Sequence, residues 1–410
     1  MNHFGSLPSA SRRTRHFRHA VTISLFVALT QYVGYLPVFR DRLQAYLGIG
    51  ADRFGLLFSM GPLVGVGAVL ASGSLLNQFG PARMIRCCLW GMAVGTLLLG
   101  LAGARWLLVL AGLTVCGVFA GPLGIAVNAY LTRLLPRDRR RALALSLAIA
   151  GAGGMAMPLL AEGLLALSRR AAWASFALIL HGPFLMLALV LLLAGWRYRG
   201  DRARPWAGAA SVWTWRQFLL PLPIAWLVVL SAVHGAVDST IITWMPQFLA
   251  GASFNVHPLA PGLVLSGFSL SYLVSRSLLV ALPESRGRLT LLVLPGLLGG
   301  GVLVAGLLSR NAWCAALGYI AAGFLWSAEY PTMLGAMAER GKQHFGTALA
   351  LSQVVYGALT FVLIYGTGRW VAHCGAARMW QVMTALACGF LLIGMGGAVW
   401  VVRFARSRSG

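Results

Sequence analysis

The sequence predicts an all-α membrane protein of twelve transmembrane helices in two six-helix pseudo-repeats, and three observations predict it. Hydrophobic residues make up 59% of the 410 and charged residues only 10%, where soluble domains carry about a quarter charged. Apolar runs recur at the length of a membrane-crossing helix, about 20 residues. Short motifs of the first half return in the second at nearly one offset.

The twelve runs cover roughly 20–39, 54–76, 84–103, 106–132, 142–167, 172–196, 217–249, 260–282, 289–309, 312–337, 345–369 and 379–402. Barrel strands would be half as long and alternate in polarity. The opening "SRRTRHFRHAVTISLFVAL" is basic and then apolar, like a secretory signal. Its long apolar part and the spans that follow make it a retained first helix.

The repeat is visible in three places. "GLLFS" at Gly55–Ser59 returns as "GLVLS" at Gly262–Ser266, and Asn77-x-x-Gly80 as Glu284-x-x-Gly287. "ALALS" at Ala142–Ser146 returns unchanged at Ala348–Ser352. The chain therefore divides into a tail (1–19), a six-helix bundle (20–196), a polar linker (197–216), a second bundle (217–402) and a short tail (403–410). Parallel six-helix repeats are an architecture of secondary transporters, with the solute site near midplane between the halves. Two similar halves can rock about a shared site and expose it to one side at a time.

A net charge of +24 suggests nucleic acid, but the basic residues are scattered through short loops, as the positive-inside rule explains. With a cytoplasmic N-terminus, 23 of the 33 basic residues fall in inner loops and tails and 9 in outer loops, while Arg276 lies within a span. Both termini are thus expected in the cytoplasm of a bacterial-type inner membrane, with no nucleic-acid partner. Lys342, in a loop, is the one lysine, and no GxxxxGK[ST] loop exists. That excludes ATP hydrolysis of the P-loop type and a retinal Schiff base. The six cysteines show no CxxC spacing and read as packing residues. No cofactor or metal is expected, and the chain is read as a monomer.

Several segments resemble the major facilitator superfamily. "GSLLNQFGPAR" (Gly73–Arg83) is similar to that family's loop signature, keeping Gly73, Gly80 and Arg83. Asn77 stands where the family usually has Asp and Gln78 where it has Arg, which implies a weakened gating network. Four segments resemble the fucose, galactose and glucose proton symporter branch: "AVNAYLTRLLP" with Asn128, "GAGGMAMPLL", "VDSTIITW" with Asp238 and Trp244, and "SAEYPTML". The branch's acid in span 1 is missing from "ALTQYVGYLPVF", and its glutamate in span 4 falls on Gly124. Arg276 is similar in place to an arginine of the branch and is read as part of a gate. The resemblance implies that spans 1, 4, 7 and 10 line the cavity.

Of the nine acids, Glu162, Asp238 and Glu329 fall inside spans. A charge in hydrocarbon costs from about 2.5 kcal/mol upward and usually faces a cavity or a partner. Because hydrocarbon disfavours the charged form of a carboxyl, such a group can load and unload a proton as its cavity opens to either side. Asp238 and His234 lie one helical turn apart and, with Glu329, are the proton-coupling candidates; a structural pair is the competing reading. Glu162 is expected at an interface. Gln31, Tyr32, Tyr35, Asn128, Trp244, Trp326, Tyr330, Gln353 and Tyr356 are the substrate-binding candidates, although polar residues also join helices in lipid without touching solute. The function expected is alternating-access transport of a small organic solute, such as a sugar, with protons. The rivals are a proton antiporter exporting a siderophore, drug or other natural product, and an uncoupled facilitator. An enzyme is not expected.

Overall fold

The computed structural model describes residues 10–134, 139–170, 175–198, 220–250, 260–281, 290–340 and 345–405. Most of the linker 197–216, and Glu284 of the repeated motif, lie outside them. Thirteen α-helices occur among the described residues: α1 (Ala10–Ala28), α2 (Arg40–Leu47), α3 (Ala51–Leu101), α4 (Trp106–Leu134), α5 (Arg139–Arg170), α6 (Phe176–Arg197), α7 (Leu222–Ala250), α8 (Pro261–Ala281), α9 (Leu294–Leu308), α10 (Ala312–Trp326), α11 (Glu329–Arg340), α12 (Phe345–Cys374) and α13 (Met379–Trp400).

Ten helical segments are long and apolar enough to cross a membrane. The departures from twelve even spans have local causes. The ninth expected span is the 15-residue α9, entered through a short 3-10 turn at Thr290–Leu292. The tenth is broken: α10 stops at Trp326 and α11 begins at Glu329. Pro331 has no N–H to offer the Ser327 carbonyl and sits in the first turn of the new helix, where proline costs nothing, although Pro122, Pro158 and Pro246 lie within unbroken helices. The first span unwinds into 3-10 turns at Leu29–Gly34 and Leu36–Phe39 before α2 completes it. A 3-10 stretch in mid-helix often marks a hinge.

The second and third spans run together as α3, interrupted at Gly80, whose φ of 74° and ψ of 161° depart from helical geometry. That positive φ explains a glycine at the loop signature. Gly73 and Asn77 lie on the helix before the break, and Arg83 is exposed just after it.

Helices from before and after the linker pack along two seams, α3 against α12 and α5 against α8. At the first seam backbones nearly touch: a Cβ added to Gly368 would lie 2.7 Å from the Ala51 carbonyl oxygen and 3.3 Å from Gly55 Cα. Small residues permit such approach where lipid supplies no hydrophobic drive between helices. Arg40 packs at the same end, buried with its guanidinium 5.3 Å from the Phe54 ring and 5.2 Å from the Trp244 ring. Large apolar side chains such as Leu107, Met186, Leu317 and Leu392 are exposed, the composition of a lipid-facing surface.

Candidate functional site: a polar cluster on α7, α8, α11 and α12

Within the largely apolar α7, Ser231, His234 and Asp238 are spaced at three and four residues, so that one side of the helix carries them, and Ser239 adjoins Asp238. Each meets a different neighbour. Ser231 Oγ lies 2.8 Å from Ser352 Oγ of α12, and Ser239 Oγ lies 3.0 Å from the Tyr356 hydroxyl, also on α12. The Tyr356 ring fits against Gly235, where a Cβ would come within 2.9 Å of it.

His234 does not pair with Asp238. Its Nδ1 lies 3.0 Å from Glu329 Oε2, and both side chains are buried, at 3% and 0% exposure. The sequence spacing suggests the i,i+4 partner, but the helix break before Glu329 delivers a carboxylate from α11 instead. The pair can hold one proton with no net charge, as imidazolium with carboxylate or as imidazole with carboxylic acid. Phe390 meets His234 edge-on at 5.1 Å between centroids, and Tyr330 stacks on it at 6.0 Å. Glu329 Oε1 is buried with no hydrogen-bond partner.

Asp238 sits one turn further along α7, half-buried, with its Oδ1 also buried and unpartnered. The hydrogen-bonding groups beside it belong to Tyr272 and Trp326, and the basic groups acting on it are His234 and Arg276. These neighbours form a chain: Trp326 Nε1–H donates to the Tyr272 hydroxyl, and the Arg276 guanidinium lies 4.5 Å over the Tyr272 ring. Arg276 Nη1 reaches across to the Leu147 carbonyl of α5 at 3.3 Å. Gln353 Nε2 donates to the Tyr330 hydroxyl at 3.4 Å, tying α12 to α11.

The structure thus brings together Asp238, His234, Glu329, Tyr330, Gln353, Tyr356 and Arg276. Trp326 joins them through Tyr272, and the other candidates lie elsewhere. Tyr35 is buried, donating its hydroxyl to the Ile179 carbonyl, and Tyr32 packs edge-on to Phe184. Trp326 is fully buried, stacked on Phe390 at 3.7 Å. Trp244 is fully buried against Phe54 and Arg40. Asn128 is half-buried on α4. Gln31, on the unwound first span, donates to its neighbour Thr30 at 3.2 Å. Glu162, expected at the membrane interface, joins two helices: its Oε1 accepts the Gly262 N–H at 2.8 Å across the α5–α8 seam.

Tyr272, Ser239 and Arg40 escape the sequence reading. Tyr272 precedes Arg276 by four residues, a spacing that could have flagged it. Arg40 reads as a loop charge, and nothing local marks it as buried.

The family model for the Major Facilitator Superfamily matches residues 21–365. Among solved structures, the chain is similar to a variant of the E. coli fucose:proton symporter FucP, at 14% identity and a TM-score of 0.63, covering 94% of this chain and 98% of that one. It is also similar to the human organic anion transporter MFSD10 (TETRAN), at 15% identity and a TM-score of 0.67, covering 93% and 99%. At these identities the likeness is one of fold. No curated protein matches the sequence.

Proposed function

The chain belongs to the major facilitator superfamily and is a membrane transporter, and from that premise we propose that it moves a small organic solute together with protons by alternating access. The observation that carries the coupling is Asp238: a half-buried carboxyl in a membrane helix, with one oxygen unpartnered, facing aromatic and basic groups instead of a committed ion pair. An acid spent on structure would close on a partner, as Glu329 does on His234. Asp238 is the group free to change its proton with the conformation of the transporter, while the His234–Glu329 pair fixes α7 against α11.

The halves rock along the α3–α12 and α5–α8 seams, with the unwound first span and the α10–α11 break as the flexible points. The positive-inside distribution favours the inner membrane with both termini cytoplasmic, which makes the end where Arg40 and Trp244 pack the outer one. On that orientation the described conformation is closed to the outside.

The test is uptake into proteoliposomes under an imposed pH gradient, run with the native protein and Asp238→Asn across sugars, organic acids and siderophore-like compounds. A gradient should drive accumulation by the native protein, and the variant should only equilibrate the solute. Accumulation that ignores the gradient, or a variant that still concentrates solute, defeats the coupling role. The sign of the gradient that drives movement distinguishes import from export.

A further inference from the structure

Resting on the transporter reading above, we propose that the solute is a small organic anion bound by Arg276, whose charge becomes available to it when Asp238 takes up a proton. The argument begins with what Arg276 lacks. A guanidinium is permanently charged and carries five N–H donors, and inside a membrane it needs acceptors. Nη1 has one long bond, 3.3 Å to the Leu147 carbonyl, and Nε is buried with no partner. The Tyr272 ring beneath it supplies a cation–π surface but no acceptor for the in-plane donors.

Asp238 is the carboxylate that acts on Arg276, yet the two do not close into an ion pair, and Asp238 Oδ1 is itself unpartnered. Two opposite charges therefore act on one another with hydrogen-bonding capacity unspent on both. The titratable or charged groups acting on Asp238 are His234 on its own helix, Tyr272 and Arg276 on α8, Tyr319 on α10 and Tyr356 on α12. His234 is committed to Glu329, and α13, which also packs on α7, has no charged residue over 379–400. Arg276 is thus the counter-charge of Asp238.

With Asp238 ionised, the Asp238–Arg276 set is balanced, and an entering anion meets a carboxylate as well as a guanidinium. With Asp238 protonated, the set carries one net positive charge, which an anion neutralises. Proton and anion then favour each other's binding by the same factor, as linkage requires, and coupled movement follows from charge balance alone. A carboxylate is the best match, because a guanidinium's parallel donors suit two oxygens in one plane. The half-buried Tyr330 offers a flat apolar surface to the rest of such a molecule.

The experiment measures thermal stabilisation of the purified full-length protein in detergent by sodium benzoate and sodium lactate, against benzamide, benzylamine and glucose, at mildly acidic and mildly alkaline pH. The two anions should raise the unfolding temperature and the other three should not. Their apparent affinity should fall by up to about tenfold per pH unit once Asp238 is ionised. Asp238→Asn should bind the anions with no such dependence. Arg276→Gln should lose them, and Arg276→Lys, which keeps the charge, should retain the preference for anions at lower affinity. A panel in which no anion acts, in which benzamide or glucose acts equally, or in which Arg276→Gln keeps its selectivity overturns the assignment. Gradient-driven uptake of a neutral solute would sink this inference and leave the coupled-transport reading standing. Anion binding through Arg276 beside gradient-blind uptake would do the reverse.

Discussion

Removing His234 should destabilise the protein far more than removing both members of its pair. His234 and Glu329 are buried at 3.0 Å from one another, with Phe390 and Tyr330 covering the imidazole. Truncating one member of a buried ion pair leaves the other uncompensated and costs about 3–5 kcal/mol. His234→Ala therefore strands Glu329, whose Oε1 already lacks a partner. In Glu329→Gln the amide can still hydrogen-bond the ring, so only the charge is lost, and a cost of about 1–2 kcal/mol is expected. The double variant His234→Phe with Glu329→Leu replaces both by apolar groups of similar volume and should come within about 1 kcal/mol of the native protein or exceed it. The aromatic at 234 keeps the edge-on contact with Phe390. Unfolding by SDS titration in bicelles returns these differences as free energies, and the cycle closed by the matching singles His234→Phe and Glu329→Leu isolates the coupling. If His234→Ala is indistinguishable from native, or if the single costs add up to that of the double, the pair does not join α7 to α11 as argued.

Three further outcomes follow from the geometry. Arg40→Gln removes a cation held between Phe54 and Trp244, worth about 0.5–2 kcal/mol. A cysteine placed at the buried Gln247 should then be alkylated severalfold faster, and an unchanged rate would show that Arg40 does not hold that end shut. Gly368→Leu forces a side chain against the Ala51 carbonyl and Gly55, an overpacking cost of about 1–3 kcal/mol. Thermal midpoints should fall in the order native, Gly368→Ala, Gly368→Leu, and equal midpoints would mean the α3–α12 seam is loose. Tyr356→Phe deletes the 3.0 Å contact with Ser239; at about 1 kcal/mol, uptake KM should rise about fivefold, whereas a stability loss with unchanged KM would make the contact purely structural.

Class, fold and the intramembrane acids were legible because hydrocarbon imposes its rules residue by residue: a span must be long and apolar, and a carboxyl within one must be accommodated. The partner of His234 was not legible. Spacing shows only neighbours on one helix, whereas Glu329 comes from another helix 95 residues away. "EYP" held only a hint, since Pro331 lies in the first turn of the helix that begins at the glutamate, while Pro122, Pro158 and Pro246 leave their helices unbroken. The aromatic candidates diverged on similar grounds. A tyrosine or tryptophan on an apolar helix reads the same whether it faces a cavity or a neighbour, so Tyr35 and Trp326, both in the core, could not be told from Tyr330 and Tyr356. Arg40 and Arg276 show the limit most plainly. Both are arginines beside aromatics with a buried, unpartnered Nε, but one is held between Phe54 and Trp244 with the Asp41 carboxylate at 3.6 Å, while the other has Asp238 nearby without a closed ion pair. What separates a latch from a binding group is the set of acceptors around it, which only the packed structure supplies.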